Sequence, residues 1–242
     1  MSGSDKLRQT ITDNKIGNAK AQKVEKEVVA ATRKAVKKMQ ATHSDYTFLW
    51  EEELKKFDIH AHLRDQFSDP AVGSNLTVNE SGIKPDGGFL FLVAPGKRKF
   101  LLGAVEAKKQ GTNDVRAEEG KDKQARGNAI ERTCKNYVEI ANAFLGEDIF
   151  SYLIFMRGCD LEDLDSSIRD RVTNMNLGCP FNELYVDKIA DKMGKLHPRA
   201  SLFVGITDVE AMSEKIFEML EASMKYYLNK YAGEFNDATQ RK

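Results

Sequence analysis

Cysteine is scarce in this chain. Only Cys134, Cys159 and Cys179 occur in 242 residues, widely spaced and odd in number, so neither a disulfide framework nor a zinc module is supported. Usage of this kind points to a reducing, intracellular setting. No run of about 18 consecutive apolar residues is present, and the polar start MSGSDKLRQT lacks the hydrophobic core of a signal peptide. The protein is therefore expected to be cytoplasmic, with no membrane partner. An excess of charge of one sign is missing too: 37 Lys and Arg balance 37 Asp and Glu, for a formal net charge of +0. The total names no partner, although a neutral sum can still hide a basic cleft. Internal repeats, low-complexity tracts and a convincing linker are absent as well. With 41% hydrophobic and 31% charged residues, a chain of this length is globular and able to bury a core without staples. One domain over 1–242 is expected.

What is present is a mixed order of helical and extended patterns. Residues 1–16 are polar and read as a flexible N-terminal arm. Val24, Val28, Ala31, Ala35 and Met39 then recur at helical spacing. A second helix is expected from Tyr46 to Leu63, followed by a loop at SDPAVGSN. GGFLFLV and KFLLGAV are short apolar runs separated by Ala94-Pro95-Gly96-Lys97, which predicts two buried antiparallel strands and a tight turn. After a charged link at 111–127, NAIERTCKNYVEIANAFLG places Ile130, Cys134, Tyr137, Ala141 and Phe144 on one helical face and closes at Gly146. Cys134 thus belongs to the core face. IFSYLIFM and ASLFVGI read as further strands, ahead of a final helix capped by Thr207 with Glu210 three residues on. The fold class is α/β.

Charged residues fall where packed strand residues belong. If the turn is centred on Gly96, residues whose numbers sum to 192 lie opposite each other, which sets Asp86 against Glu106. Direct cross-strand neighbours have side chains about 5 Å apart, and two like charges there need a positive partner. Lys108 projects from the same face as Glu106, because strand side chains alternate with period two. An ion-paired cluster at a fraying hairpin end is the plain structural explanation. Against it stands the cost of ending apolar strands in charges that are not used. Two carboxylates, Asp86 and Glu106, with the carbonyl of Ala107, form the hard oxygen set that magnesium prefers. A bound water, deprotonated with help from the metal and Lys108, is then placed to attack a phosphorus in line, which is phosphodiester hydrolysis.

Asp86 followed by Glu106-Ala107-Lys108 matches the PD-(D/E)xK nuclease pattern, and IKPDGG, VEAKKQG and GNAIERTCKNYVEIANAF follow one another in an order and spacing that closely resemble the EcoRI family of type II restriction endonucleases. The similarity covers about residues 81–146, with a fainter echo near 169–182 in RDRVTNMNLGCPFN. The resemblance implies a central mixed five-stranded-type sheet flanked by helices. It also implies a magnesium-dependent homodimer that cuts both strands of palindromic double-stranded DNA to leave 5′ overhangs. Asp86, Glu106 and Lys108 stand at the family's catalytic positions. A cognate DNA methyltransferase is implied in the same system, with no direct contact expected.

The resemblance assigns reading of a central AATT to Asn128, Ala129 and Arg132. The chemistry agrees, since Asn bonds adenine bidentately, an Ala methyl meets the thymine methyl and Arg offers a planar fork. Asn128 with Glu131 also resembles a capping box, and Glu131 reads as a buttress for neighbouring arginines. Where the EcoRI pattern has a small residue before the Gly of this motif, Arg126 stands here. Arginine prefers guanine O6 and N7, so the outer pair is expected to be G·C or C·G; RGNAIER resembles the CAATTG-cutting members of the family, which implies CAATTG ahead of GAATTC or a degenerate outer pair. Arg171 occupies a plausible DNA-binding position, whereas Ile168 stands where a second arginine is expected. His60 and His62 have no third ligand at a standard spacing. The Lys-rich runs RKAVKKM and GKRKF suit phosphate contact and solvated faces equally. Two other functions use the same pattern or fold: a structure-specific DNA repair or recombination nuclease, and a sequence-specific DNA-binding protein that does not cleave.

Overall fold

The computed structural model describes residues 3–75, 81–110, 120 and 128–235, with side chains from Gln22 onward except those of 128–130. Helix α1 runs from Gly3 to Thr42, so the backbone of the segment expected as an arm is helical from Gly3. Its Val24, Val28, Ala31, Ala35 and Met39 are all buried, as their spacing predicted. Strands β1 (Thr47–Glu51), β4 (Gly88–Val93), β5 (Lys99–Lys109), β6 (Tyr152–Arg157) and β9 (Ser201–Val204) form a sheet in the order β1-β4-β5-β6-β9. The first three are antiparallel and the last three parallel. This is the mixed five-stranded sheet that was expected. Short pairs β2 (Leu54–Lys55) with β3 (Gly82–Ile83), and β7 (Ile189–Ala190) with β8 (Leu196–His197), lie outside it. Helices α2 (Lys56–Phe67), α3 (Asn128–Ala143), α4 (Cys159–Glu162), α5 (Ser167–Met175), α6 (Val209–Lys230) and α7 (Ala232–Phe235) complete the order.

The helix expected from Tyr46 to Leu63 is divided. Phe48, Leu49 and Trp50 pair along β4 as β1, because an apolar, aromatic run finds more burial on an open sheet edge than on an isolated helix. Helical structure begins only at Lys56, where Ile59 and Leu63 supply the buried face. The cap of α6 is also one residue later than expected: the Asp208 carboxylate accepts from Ala211 N at 2.9 Å, satisfying a donor that Thr207 does not reach.

The β4–β5 hairpin contains the feature that matters most for the site. Near the turn the pairs are Val93↔Lys99, Leu92↔Phe100 and Phe91↔Leu101, and the register follows the predicted sum of 192. A β-bulge between Leu90 and Phe91 then leaves Leu102 as an extra residue, and the pairs become Leu90↔Gly103, Phe89↔Ala104 and Gly88↔Val105. A bulge of this kind re-aims everything beyond it. Past the bulge, strand alternation separates the two faces of β5. A side chain at Gly103 would strike Met219 and Leu220 of α6, whereas Glu106, three positions on, meets Asn136 of α3. Helices α1 and α6 therefore cover one face and α3 the other. No helix among the described residues is long and apolar enough to cross a membrane.

Candidate active site

Asp86 does not stand opposite Glu106, because the bulge shifts the pairing by one residue and the chain leaves strand geometry before Gly88. Pro85 O accepts from Gly88 N at 2.9 Å and closes a tight turn, while Gly87 N donates to Val105 O at 2.9 Å. Within this turn the Asp86 carboxylate accepts from Ala107 N at 2.9 Å. Both glycines are required sterically. Gly88 has φ +76°, and a Cβ there would lie 2.7 Å from Glu51 O and from Trp50 Nε1. A Cβ on Gly87 would lie 2.7 Å from Thr32 Oγ1 and Val105 Cβ. Trp50 fastens the turn by donating from Nε1 to Gly87 O at 2.9 Å. The Pro-Asp-Gly-Gly step is thus a rigid corner that delivers Asp86 to the end of β5.

Glu106 is 2% exposed. Lys108 Nζ contacts its Oε1 from the same face of β5, and Asn136 Nδ2 donates to its Oε2 at 3.3 Å. Burial drives the Glu106 carboxyl up to about 7, with the Asp86 charge adding to that effect and Lys108 and Asn136 opposing it. Tyr152, at the start of β6, is completely buried beside these groups. Burial and the charges of Glu106 and Asp86 hold its phenol well above the usual range. Its hydroxyl lies close enough to Glu106 to interact with it but makes no well-formed hydrogen bond.

The donor chemistry fits a hard divalent cation. Two carboxylates sit near each other at the end of buried strands, one of them held back from ionisation chiefly by burial, and the Tyr152 hydroxyl adjoins them. Asp86, Glu106 and the Ala107 carbonyl are the groups able to hold magnesium, which keeps several of its own waters and needs few protein ligands. Among the described residues, no group of three or more His, Cys, Asp or Glu is placed to bind a metal. His62 is engaged by Leu145 O at 2.8 Å. His60 Nδ1 is buried without a partner and lies under Gly73.

The remaining sequence-predicted residues divide by location. Arg126 lies outside the described residues, and Asn128 and Ala129 open helix α3 with side chains that are not described. Glu131 and Arg132 are exposed on the first turns of α3, and Arg171 is exposed on α5, a helix that packs against α3. Ile168 is buried at 2% exposure, so its position serves the core. Cys134 is partly buried against that core. Sequence reasoning missed Asn136 and Tyr152. Asn136 follows Arg132 by four residues, so helical spacing alone sets it on the face of Arg132. Tyr152 was hidden in an apolar run where a phenol looks like packing.

The chain matches the family described as Restriction endonuclease EcoRI over residues 10–169. It is 30% identical over 223 residues to the type II restriction enzyme EcoRI of Escherichia coli, covering 79% of this chain and 80% of that protein. It is 28% identical over 207 residues to the type II restriction enzyme RsrI of Cereibacter sphaeroides, covering 74% of each.

Proposed function

The chain belongs to the EcoRI family of type II restriction endonucleases and is thereby a site-specific deoxyribonuclease, and from that premise we propose that it is a magnesium-dependent enzyme whose reaction centre is Asp86, Glu106 and Lys108. One observation carries this reading: a buried glutamate with its carboxyl held near neutrality, in contact with a lysine and flanked by an aspartate that a glycine corner fixes in place. Magnesium, when bound, supplies positive charge for the phosphate oxygens and lowers the pKa of a coordinated water. Asp86 and Glu106 hold and orient the cation, with the Ala107 carbonyl as a third oxygen. Lys108 stands beside Glu106, placed to neutralise charge on the scissile phosphate and to assist proton removal from the attacking water. Attack on phosphorus forms a P–O bond to the water oxygen and breaks the P–O3′ bond, leaving a 5′ phosphate and a 3′ hydroxyl.

Arg126, Asn128, Ala129, Arg132 and Arg171 are the proposed DNA-reading residues, with Glu131 orienting the arginines. CAATTG is the preferred site, with GAATTC or a degenerate outer pair as the alternatives, because RGNAIER, with Arg126 in place of a small residue, resembles the CAATTG-cutting members of the family; arginine's preference for guanine supports an outer G·C or C·G pair without choosing its orientation. Two identical reaction centres related by a two-fold axis match a palindromic duplex, so the active species is a homodimer that cuts both strands, and the resemblance to the EcoRI family implies 5′ overhangs. The whole chain acts as one domain. A methyltransferase acting on the same site protects host DNA without contacting this protein. The test is cleavage by purified Glu106→Gln and Lys108→Ala variants in magnesium buffer. Each is expected to lose at least ~10²–10⁴ in rate while retaining DNA binding; wild-type turnover in either would overturn these roles.

A further inference from the structure

The two Lys-rich runs of the sequence have different settings in the fold. In GKRKF, Arg98 pairs with Glu234 and stacks 4.7 Å over Phe100, and Lys99 pairs with Glu51 at 2.6 Å. That run begins β5 at its turn end, about 30 Å along the strand from Lys108 at ~3.3 Å per residue. In RKAVKKM the outcome is the reverse. Arg33, Lys34 and Lys37, with Lys26 about two to three turns earlier, line a groove of about 670 Å³ whose wall also includes Asp86 and Glu25. Lys34 is tied to Glu210, but Lys26 and Lys37 have no acidic partner among the described residues. Arg33 lies 5.7 Å over the Trp50 ring, the same side chain that fastens the Asp86 corner.

We propose that this α1 groove carries the DNA backbone flanking the scissile phosphate, with Lys26, Arg33 and Lys37 as its phosphate-binding cations. The proposal rests on the reading of Asp86 as part of the reaction centre. Cations on phosphates act by counterion release and carry no base information. The experiment measures binding of Lys26→Ala and Lys37→Ala proteins to a 30-base-pair duplex containing CAATTG, and to one lacking AATT, over a salt series without magnesium. Each variant removes one cation from each protomer of the homodimer and is expected to lower the slope of log affinity against log salt by about 1.8, about 0.9 per lost phosphate contact, equally on both duplexes. Lys99→Ala is expected to keep the wild-type slope. Wild-type slopes for Lys26→Ala and Lys37→Ala would overturn the proposal while leaving the nuclease reading intact. Absence of DNA binding by the wild-type protein would overturn that reading itself.

An independent observation concerns Tyr152. Its ring is packed edge-on against Phe150, with centroids 5.9 Å apart, and its buried hydroxyl approaches Glu106 without a well-formed hydrogen bond to any group. We infer that Tyr152 is a positioning residue, whose hydroxyl donates to the Glu106 carboxylate, or to a water on it, once a cation occupies the site. Tyr152→Phe removes one oxygen and keeps the ring. Melting of the cation-free variant is expected at or above the wild-type temperature, while its affinity for Mg²⁺, read from the magnesium-dependent melting shift, falls at least ~10-fold. A lowered melting temperature with wild-type magnesium affinity would reduce the residue to a packing role. A wild-type protein whose melting ignores magnesium would instead refute the metal reading.

Discussion

At the scale of single residues, Glu106 sets the behaviour of the site. Its carboxyl titrates near 7 in the folded chain against an ordinary value of 4.5, so the folded state retains a proton that the unfolded state has lost. The stability that Glu106 contributes in the metal-free protein is therefore fully present below about pH 4.5 and is lost as pH rises through about 7. Glu106→Gln removes this term. Denaturant titrations of the two proteins should diverge in the variant's favour across that window and run parallel outside it; curves parallel throughout would contradict the burial argument. Asn136 acts through Glu106, because its amide donates to Oε2 and favours the ionised form. Asn136→Ala is expected to weaken magnesium affinity about 10-fold, as measured by the magnesium concentration for half-maximal cleavage. The charged triad was legible in the sequence because charges at the ends of apolar strands stand out. Asn136 and Tyr152 were not, since an amide on a helix and a phenol in a strand have ordinary structural uses.

At the scale of elements, the sequence signalled most of the strands that hold the site but not their alignment. The turn at 94–97 correctly sets the first pairs of the hairpin, and Leu102, a buried leucine among other apolar residues, gives no compositional sign of the bulge. That one extra residue converts a direct Asp86–Glu106 pair into an Asp86–Ala107 hydrogen bond. The strand β1 was read as helix because its five residues precede a true helix and blend with it; pairing with β4 is a long-range gain that local periodicity does not report. The corner before β4 is where this architecture is most exposed to mutation. Gly88→Ala places a methyl group 2.7 Å from Glu51 O at a positive φ. The expected loss is about 1–3 kcal/mol, seen as a fall of roughly 2–4 °C in melting temperature per kcal/mol, with cleavage reduced further because Asp86 moves with the corner. A variant with wild-type melting and cleavage would show that the corner is not rigid.

At the scale of the whole molecule, the sheet brings a hairpin end, the glycine corner and α3 to one place, and α1 adjoins the same place from the other side. Val138 is exposed on α3 and Leu177 is exposed just past the end of α5, two helices that pack together, and a second copy would cover this apolar surface. Sedimentation of the wild-type protein is expected to give a dimer, and Val138→Glu to shift it towards monomer with a parallel loss of double-strand cleavage. The proposed site was readable further than its proposed specificity, because the pattern of three charged side chains suggests the chemistry by itself, whereas the proposed outer base pair turns on how Arg126 would approach the DNA. The most direct measurement is therefore digestion of a sequenced plasmid with the wild-type protein in magnesium, in parallel with Glu106→Gln, followed by mapping of every end. Discrete fragments with 5′ overhangs at AATT-centred palindromes, CAATTG first among them, and none from the variant, are predicted. Intact plasmid from the wild-type protein, or equal cutting by the variant, would contradict the assignment of the reaction to Asp86, Glu106 and Lys108.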